Sequence, residues 1–136
     1  MIRPIVRDRF FLGQKSETAA QNDGAVGRDL RDTLEANREH CVGMAANMIG
    51  VRKRVIIVNM VFADVVMYNP VMLGRDTPYE TEEGCLSLDG VRRVTRWRNI
   101  EIEYRDDAWR KCRRKYSGRI AQIIQHEMDH LEGILV

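Results

Sequence analysis

Residues 125–130 read Gln-His-Glu-Met-Asp-His and contain the pattern His-Glu-x-x-His at His126, Glu127 and His130. On a helix, positions four apart lie on one face, one turn from each other. Two imidazoles placed this way can share one metal ion, and the glutamate between them can handle the proton of a water. The flanking residues predict the helix. Ile120, Ile123, Ile124, Met128 and Leu131 form an apolar stripe at helical spacing, and Gly118 and Gly133 punctuate its ends. The bland alternative is a surface helix with two incidental histidines. Against it, two of the three histidines in the chain stand in this one motif.

Working outward, 136 residues suit one domain spanning 1–136, and a 44% hydrophobic composition is ordinary for a globular protein. The net charge of +2 is the near-cancellation of 22 basic and 20 acidic side chains, so it identifies no partner. No run is long and apolar enough to predict a membrane helix. The opening Met-Ile-Arg-Pro-Ile-Val-Arg-Asp-Arg carries charge where a secretion signal needs an apolar core, which predicts a cytoplasmic protein. Cys41, Cys85 and Cys112 are odd in number and irregularly spaced. That is poor material for a disulfide framework, and it leaves each thiol available as a metal ligand.

Along the chain, residues 1–13 read as extended, and residues 14–24 as a polar loop with Asn22-Asp23-Gly24 as its turn. Val26, Leu30 and Leu34 predict an amphipathic helix from Ala25 to about His40, with Asp23 as its cap. His40 then ends that helix as a cation near the negative end of its dipole. The small residues of Cys41–Gly50 allow close backbone approach, and a tight helix-to-strand connection would use them equally well. Arg54–Met60 is a β-branched run that predicts a buried strand. Val65–Asn69 predicts another, stopped by Pro70. Residues 74–82 read as polar turn. Val91–Thr95, Asn99–Tyr104 and Trp109–Tyr116 read as further strands, with Asp106-Asp107 turning the chain before the last.

A catalytic metal takes three protein ligands and keeps one position open. The helix supplies two. Spacing leaves the third undecided among the remaining cysteine, histidine and carboxylate side chains. Cys85, between Gly84 and Leu86, sits in a stretch built like a site, whereas Cys112 lies among Lys111, Arg113 and Arg114 and reads as one face of an edge strand.

Two further segments matter here. Glu83-Gly84-Cys85-Leu86-Ser87 precedes Gln125-His126-Glu127-Met128-Asp129-His130-Leu131, and Cys41-Val-Gly-Met-Ala-Ala-Asn-Met48 precedes both. In this order and separation they resemble the peptide deformylases, whose three motifs are G-x-G-φ-A-A-x-Q, E-G-C-L-S and Q-H-E-x-D-H-L. The resemblance covers essentially all 136 residues, and the last two motifs are intact. It implies an α+β fold with small antiparallel sheets around the C-terminal metal-binding helix and the first helix outside. It implies that Cys85, His126 and His130 bind one divalent metal ion, Fe(II) above all, with Zn, Ni or Co able to take the same site. It implies Glu127 as the group that takes a proton from the attacking water and returns one to the leaving amine. The backbone N–H of Leu86 is the implied oxyanion donor. Val42 and Gly43, with Glu83 and Gly84, are the implied substrate-binding positions. The implied substrates are N-formyl-methionyl nascent peptides. A thiolate ligand donates more charge than a third histidine, which softens the ion as a Lewis acid and exposes a ferrous site to oxidation.

The first motif departs from the family pattern. Cys41 replaces the first glycine and Met48 replaces the terminal glutamine. The glutamine amide of the family helps hold the developing oxyanion, and a thioether has no N–H to donate. Loss of one such donor typically costs about 10²–10³ in turnover. The alternative function is therefore a homologue with weak or no deformylase activity that binds metal or peptide. Cys41 reads as a small buried side chain rather than an extra ligand or a redox-sensitive thiol. The family often continues past the metal helix into a tail that in some members contacts the ribosome, whereas this sequence ends at Val136. Arg92, Arg93, Arg96 and Arg98, with Arg110, Lys111, Arg113, Arg114 and Lys115, offer a ribosomal-RNA contact instead. Interleaved Glu101, Glu103 and Asp106 favour solvated strand faces. Asp129 points away from the histidine face and is expected to pair with an arginine such as Arg96. A metalloprotease of another fold would leave Cys85 unexplained, and a nucleic-acid module would leave the whole metal constellation idle.

Overall fold

The computed structural model describes residues 1–136. Its elements are α1 (Arg9–Leu12), α2 (Gly24–Ala36), β1 (Gly43–Ala45), β2 (Val55–Asn59), β3 (Asp64–Cys85), β4 (Leu88–Arg105), β5 (Lys111–Ser117) and α3 (Gly118–Leu131), with 3-10 turns at Gln21–Asp23 and Ala46–Ile49. The strands form one antiparallel sheet in sequence order, β1 to β5. The expected small sheets are thus a single five-stranded sheet, and α2 and α3 cover its opposite faces.

The side-chain alternation of β2 explains that layering. Val55 and Ile57 point into a core with Leu30 and Leu34 of α2, Met44, Val66 and Tyr68. Ile56 and Val58 point the other way, to Ala121, Ile124 and Leu131 of α3 and to Met67, Ile100 and Ile102. A strand covered on both faces needs apolar residues at every position, which is why its sequence is an unbroken β-branched run.

Several local expectations give way. Residues 1–13 include the one-turn helix α1, whose first turn is capped by Asp8 accepting from the Phe10 N–H at 2.9 Å. Asp23 does not cap α2; it accepts from the Ala20 N–H at 2.7 Å within the preceding 3-10 turn. Helix α2 ends at Ala36, so His40 lies beyond it in an exposed turn. Pro70 does not stop its strand. The ladder slips between Tyr68 and Val71, and proline, lacking an N–H, is tolerated at such a bulge. Asn69 takes a left-handed φ of 53° there, and its side chain holds both the N–H and the C=O of Ala19.

Residues 74–82 are strand, not turn, and Val91–Thr95 and Asn99–Tyr104 belong to one strand, β4. From Pro78↔Trp97 to Gly84↔Val91, past the last rung that β4 shares with β5 at Asn99, the two strands continue as a two-stranded arm. Its polar composition reflects exposure, and Arg75 stacked over Trp97 at 4.6 Å supports it. Gly118, at φ 61°, makes the sharp corner from β5 into α3 that a side chain would strain. No helix is long and apolar enough to cross a membrane.

Candidate metal centre and active-site cleft

Three atoms from two elements converge. Cys85, at the end of β3, places its Sγ 3.3 Å from Nε2 of His130, and that nitrogen lies 3.2 Å from Nε2 of His126 on the same face of α3. All three potential ligand atoms fall within 4.8 Å of one another. Ligand atoms bound at about 2.0–2.3 Å around one tetrahedral ion stand about 3.3–3.6 Å apart, so the group has the right size for a divalent metal.

Outer contacts orient the donors. Glu83 Oε1 lies 2.7 Å from His126 Nδ1. Burial works against a charged Glu83, yet hydrogen bonds with His126, Arg96 and Gln122 hold its pKa down at about 2. An ionised carboxylate can only accept, so His126 Nδ1 donates to it, and Nε2 is the nitrogen left to face Cys85 and His130. This is how outer partners commonly select the tautomer of a metal-binding histidine. Burial opposes a charged His126, but hydrogen bonds with Cys85 and Glu83 push its pKa up to about 10, so a cation at the site takes the place of the Nε2 proton. Burial, and then the adjoining His126, push His130 well below the usual histidine range. Its imidazole is therefore neutral and also able to donate a lone pair. The three ligand atoms contact one another through hydrogen bonds at 3.2 and 3.3 Å, and with a cation in place of the shared protons the same three atoms are a donor set for it. The residues present fit a metal.

Arg96 was expected opposite Asp129, and Nη1 indeed meets Asp129 Oδ2 at 2.7 Å. The same guanidinium also makes a two-point contact with Glu83, at 2.9 and 2.7 Å. Glu83 is thereby fully engaged by protein. Its side chain thus supports His126, and Glu83 also borders the cleft in which it is expected to meet substrate. Gln125 is a support that the sequence pattern did not single out. Its amide clasps the N–H and C=O of Trp97, each at 2.8 Å, and ties α3 to β4. Asn47 likewise donates to the His130 carbonyl at 2.9 Å.

Glu127 is buried beside the ligand group, and its Oε1 has no protein partner. Burial is the main force that pushes its pKa up, to about 7, with the positive His126 opposing. Gly43 makes room for it. A Cβ there would stand 2.8 Å from Ile123 Cγ2, 3.0 Å from Glu127 Oε2 and 3.2 Å from the Ile57 carbonyl, so this glycine is a matter of close approach. Val42 and Gly43 border a cleft of about 230 Å³ whose far wall includes Gly84, Cys85 and Leu86. Leu86 lies in the β3–β4 turn, where its carbonyl accepts from Arg7 at 3.2 Å.

Met48 is buried in the cleft wall, and its sulfur accepts from the Ala45 N–H at 3.4 Å. The thioether thus acts as an acceptor and has nothing to donate. Cys41 is outside the ligand group; its thiol donates to the Gly43 carbonyl at 2.9 Å. Burial, then the charge of Glu127, push that thiol up to about 12. His40 also borders the cleft, a position its sequence context did not reveal. The basic strand faces are mixed with acid, as in Arg113–Glu101, Lys111–Glu103 and Arg93–Glu80.

The family described as polypeptide deformylase matches residues 6–136. A peptide deformylase of Clostridium beijerinckii is 56% identical over 136 residues, covering all of both chains. One from Prochlorococcus marinus is 34% identical over 91% of this chain and 66% of its own length. Among solved structures, a peptide deformylase from Legionella pneumophila superposes with a TM-score of 0.90 at 29% identity, covering 99% of this chain and 83% of its own. A class I type b peptide deformylase from Acinetobacter baumannii with Met-Ala-Ser bound gives 0.88 at 28% identity, covering 99% and 97%.

Proposed function

The chain belongs to the polypeptide deformylase family, and from that premise we propose how its residues perform the reaction. Its function is metal-dependent removal of the formyl group from the N-terminal formyl-methionine of nascent peptides, and the homologue without activity is not the favoured reading. The observation that carries the residue assignment is the convergence of Cys85, His126 and His130 beside the buried carboxyl of Glu127.

In this proposal Cys85, His126 and His130 hold the ion. The mixed thiolate and imidazole set suits Fe(II), and Zn, Ni or Co would find the same donors acceptable. When bound, the ion acidifies a water and polarises the formyl carbonyl. Glu127 takes the proton of the attacking water and delivers it to the leaving amine nitrogen. A carboxyl held near pH 7 by burial is matched to both transfers. The Leu86 N–H donates to the oxygen that becomes negative, and Arg7, bonded to the Leu86 carbonyl in the next peptide unit, braces the turn that carries it. With Met48 accepting rather than donating, Leu86 carries this task with one fewer donor beside it.

The substrate backbone lies along β1, the edge strand of the sheet, where Val42 and Gly43 offer main-chain groups to an extended peptide. Gly84 faces it from the other wall. The Met-Ala-Ser bound to the Acinetobacter relative is a peptide of the length this groove would accept. A formylated nascent chain as substrate places the protein in the cytoplasm and brings it to the ribosome, and we propose both on that ground.

The test is deformylation of a formyl-Met tripeptide by protein purified without oxygen and loaded with Fe(II) or Ni(II), with Glu127→Ala beside it. Turnover in the wild type and none in a Glu127→Ala protein that still binds one ion per chain is the expected result. Equal turnover in both would remove Glu127 from the mechanism. No turnover in the loaded wild type would overturn the assignment.

A further inference from the structure

The cleft runs past the ligand group along α3. Arg119, Gln122, Ile123 and His126 border it from one face of that helix. Arg119 precedes His126 by seven residues, or about 10 Å along the helix axis. An extended peptide advances about 3.3 Å per residue, so Arg119 stands about three residues from the reacting formyl group. A second depression, bordered by Asn59, Val61 and Ser117, shares Val42, Arg119 and Ile123 with the cleft. The guanidinium therefore stands where the two run together, beside the open edge of β1.

Arg119 is the only lysine or arginine in the cleft wall. It is exposed, and no protein carboxylate pairs with it. Its neighbours differ in this respect. Arg96 is consumed by Glu83 and Asp129, and Arg7 by Asp89 and Leu86. Glu82, also in the cleft wall, forms no ion pair with Arg119. Glu83 is held by its own partners, and Glu127 is buried.

Resting on the deformylase reading of this site, we propose that Arg119 is a specificity-determining residue that receives a carboxylate on the second or third residue of the formyl peptide. The carboxylate is either an Asp or Glu side chain or the free C-terminus of a short peptide. Arginine suits this role because its planar fork can meet both oxygens of a carboxylate. An exposed ion pair is worth little in water, so the preference it confers is about threefold to tenfold in kcat/KM, carried mainly by KM. It weakens with salt.

The experiment compares matched peptides on the metal-loaded enzyme. Formyl-Met-Ala-Glu amide against formyl-Met-Ala-Gln amide tests a side-chain carboxylate, and Glu against Gln at the second position tests the nearer register. Formyl-Met-Ala-Ala acid against its amide tests the C-terminus. Each ratio is measured for wild type, Arg119→Lys, Arg119→Gln and Arg119→Glu. At least one acid-to-neutral ratio is expected at three or more in wild type, partly kept in Arg119→Lys, near one in Arg119→Gln and below one in Arg119→Glu. Which pair responds identifies the source. Ratios near one throughout, or a ratio that survives in Arg119→Gln, would overturn the inference while leaving deformylation intact. Calorimetric binding of the unformylated Met-Ala-Glu and Met-Ala-Gln amides supplies a readout without turnover. If no formyl peptide reacts, the functional reading has failed, and an Arg119-dependent difference in that binding still decides whether the cleft selects carboxylates.

Discussion

Glu83 Oε1 accepts the Nδ1–H of His126 at 2.7 Å while the Arg96 guanidinium holds the same carboxylate from the other side. The relationship turns a motif glutamate into the support of a proposed metal ligand. Glu83→Gln keeps the shape but can present an N–H to His126 and loses the charge. Its affinity for the metal is expected to fall about 10- to 100-fold, read by competition with a chelator. Asp129→Asn, which touches Arg96 rather than the histidine, should weaken retention less. Unchanged affinity in Glu83→Gln would remove this role.

The Arg96–Glu83 pair is buried on both sides, at 5% and 7% side-chain exposure. Arg96→Met strands two carboxylates, one of them buried. Loss of one partner of such a pair typically destabilises by about 3–5 kcal/mol. A loss of unfolding free energy of that order is expected from urea melts, and a change under about 1 kcal/mol would contradict it.

Gly43→Ala forces a methyl group against Ile123, Glu127 and the Ile57 carbonyl. Overpacking of this kind costs about 1–3 kcal/mol. Displacement of Glu127 should lower kcat by about tenfold or more, since small misplacement of a catalytic group is costly. Kinetics and thermal melting of the variant decide, and wild-type values in both would contradict the close approach.

Met48→Gln replaces a sulfur acceptor with an amide that can accept from Ala45 and also donate into the cleft. Turnover is expected to rise by about tenfold, part of the 10²–10³ that one oxyanion donor can supply. A fall in kcat would mean that the chain has tuned its cleft around the thioether.

Asp64 supplies a pH dependence remote from the metal. Hydrogen bonding to Arg38, opposed by burial and aided by Asn59, lowers its pKa below the ordinary 3.8. A depressed carboxylate contributes stability above its unfolded pKa and loses it as pH falls through the folded value. The wild type should therefore lose stability below about pH 4 more steeply than Asp64→Asn. Urea melts across pH 2–6 measure the difference, and parallel acid limbs would exclude the contribution.

Much of the site was legible before the fold was known, because its grammar is local. His126 and His130 share a face through helix geometry alone, and the apolar stripe beside them announces that helix. The β-branched run of β2 announced a buried strand for the same reason. The bulge at Pro70 was not legible: proline stops a regular ladder, and only the partner strand reveals a slip that accommodates it. Residues 74–82 were misread because an exposed two-stranded arm has the composition of a turn, and its strand character comes from pairing with β4.

The sequence by itself determined the metal helix, the candidate ligands and the loss of a donor at Met48, since those follow from residue chemistry and near-neighbour spacing. Tertiary structure alone decided that the Glu83 side chain reaches His126 and Arg96, that Gly43 is empty so that Glu127 can fit, and that Arg119 stands unpaired at the mouth of the cleft. Those facts depend on which strand end meets which helix face across the core, and spacing along the chain carries no record of distances between segments so far apart in sequence.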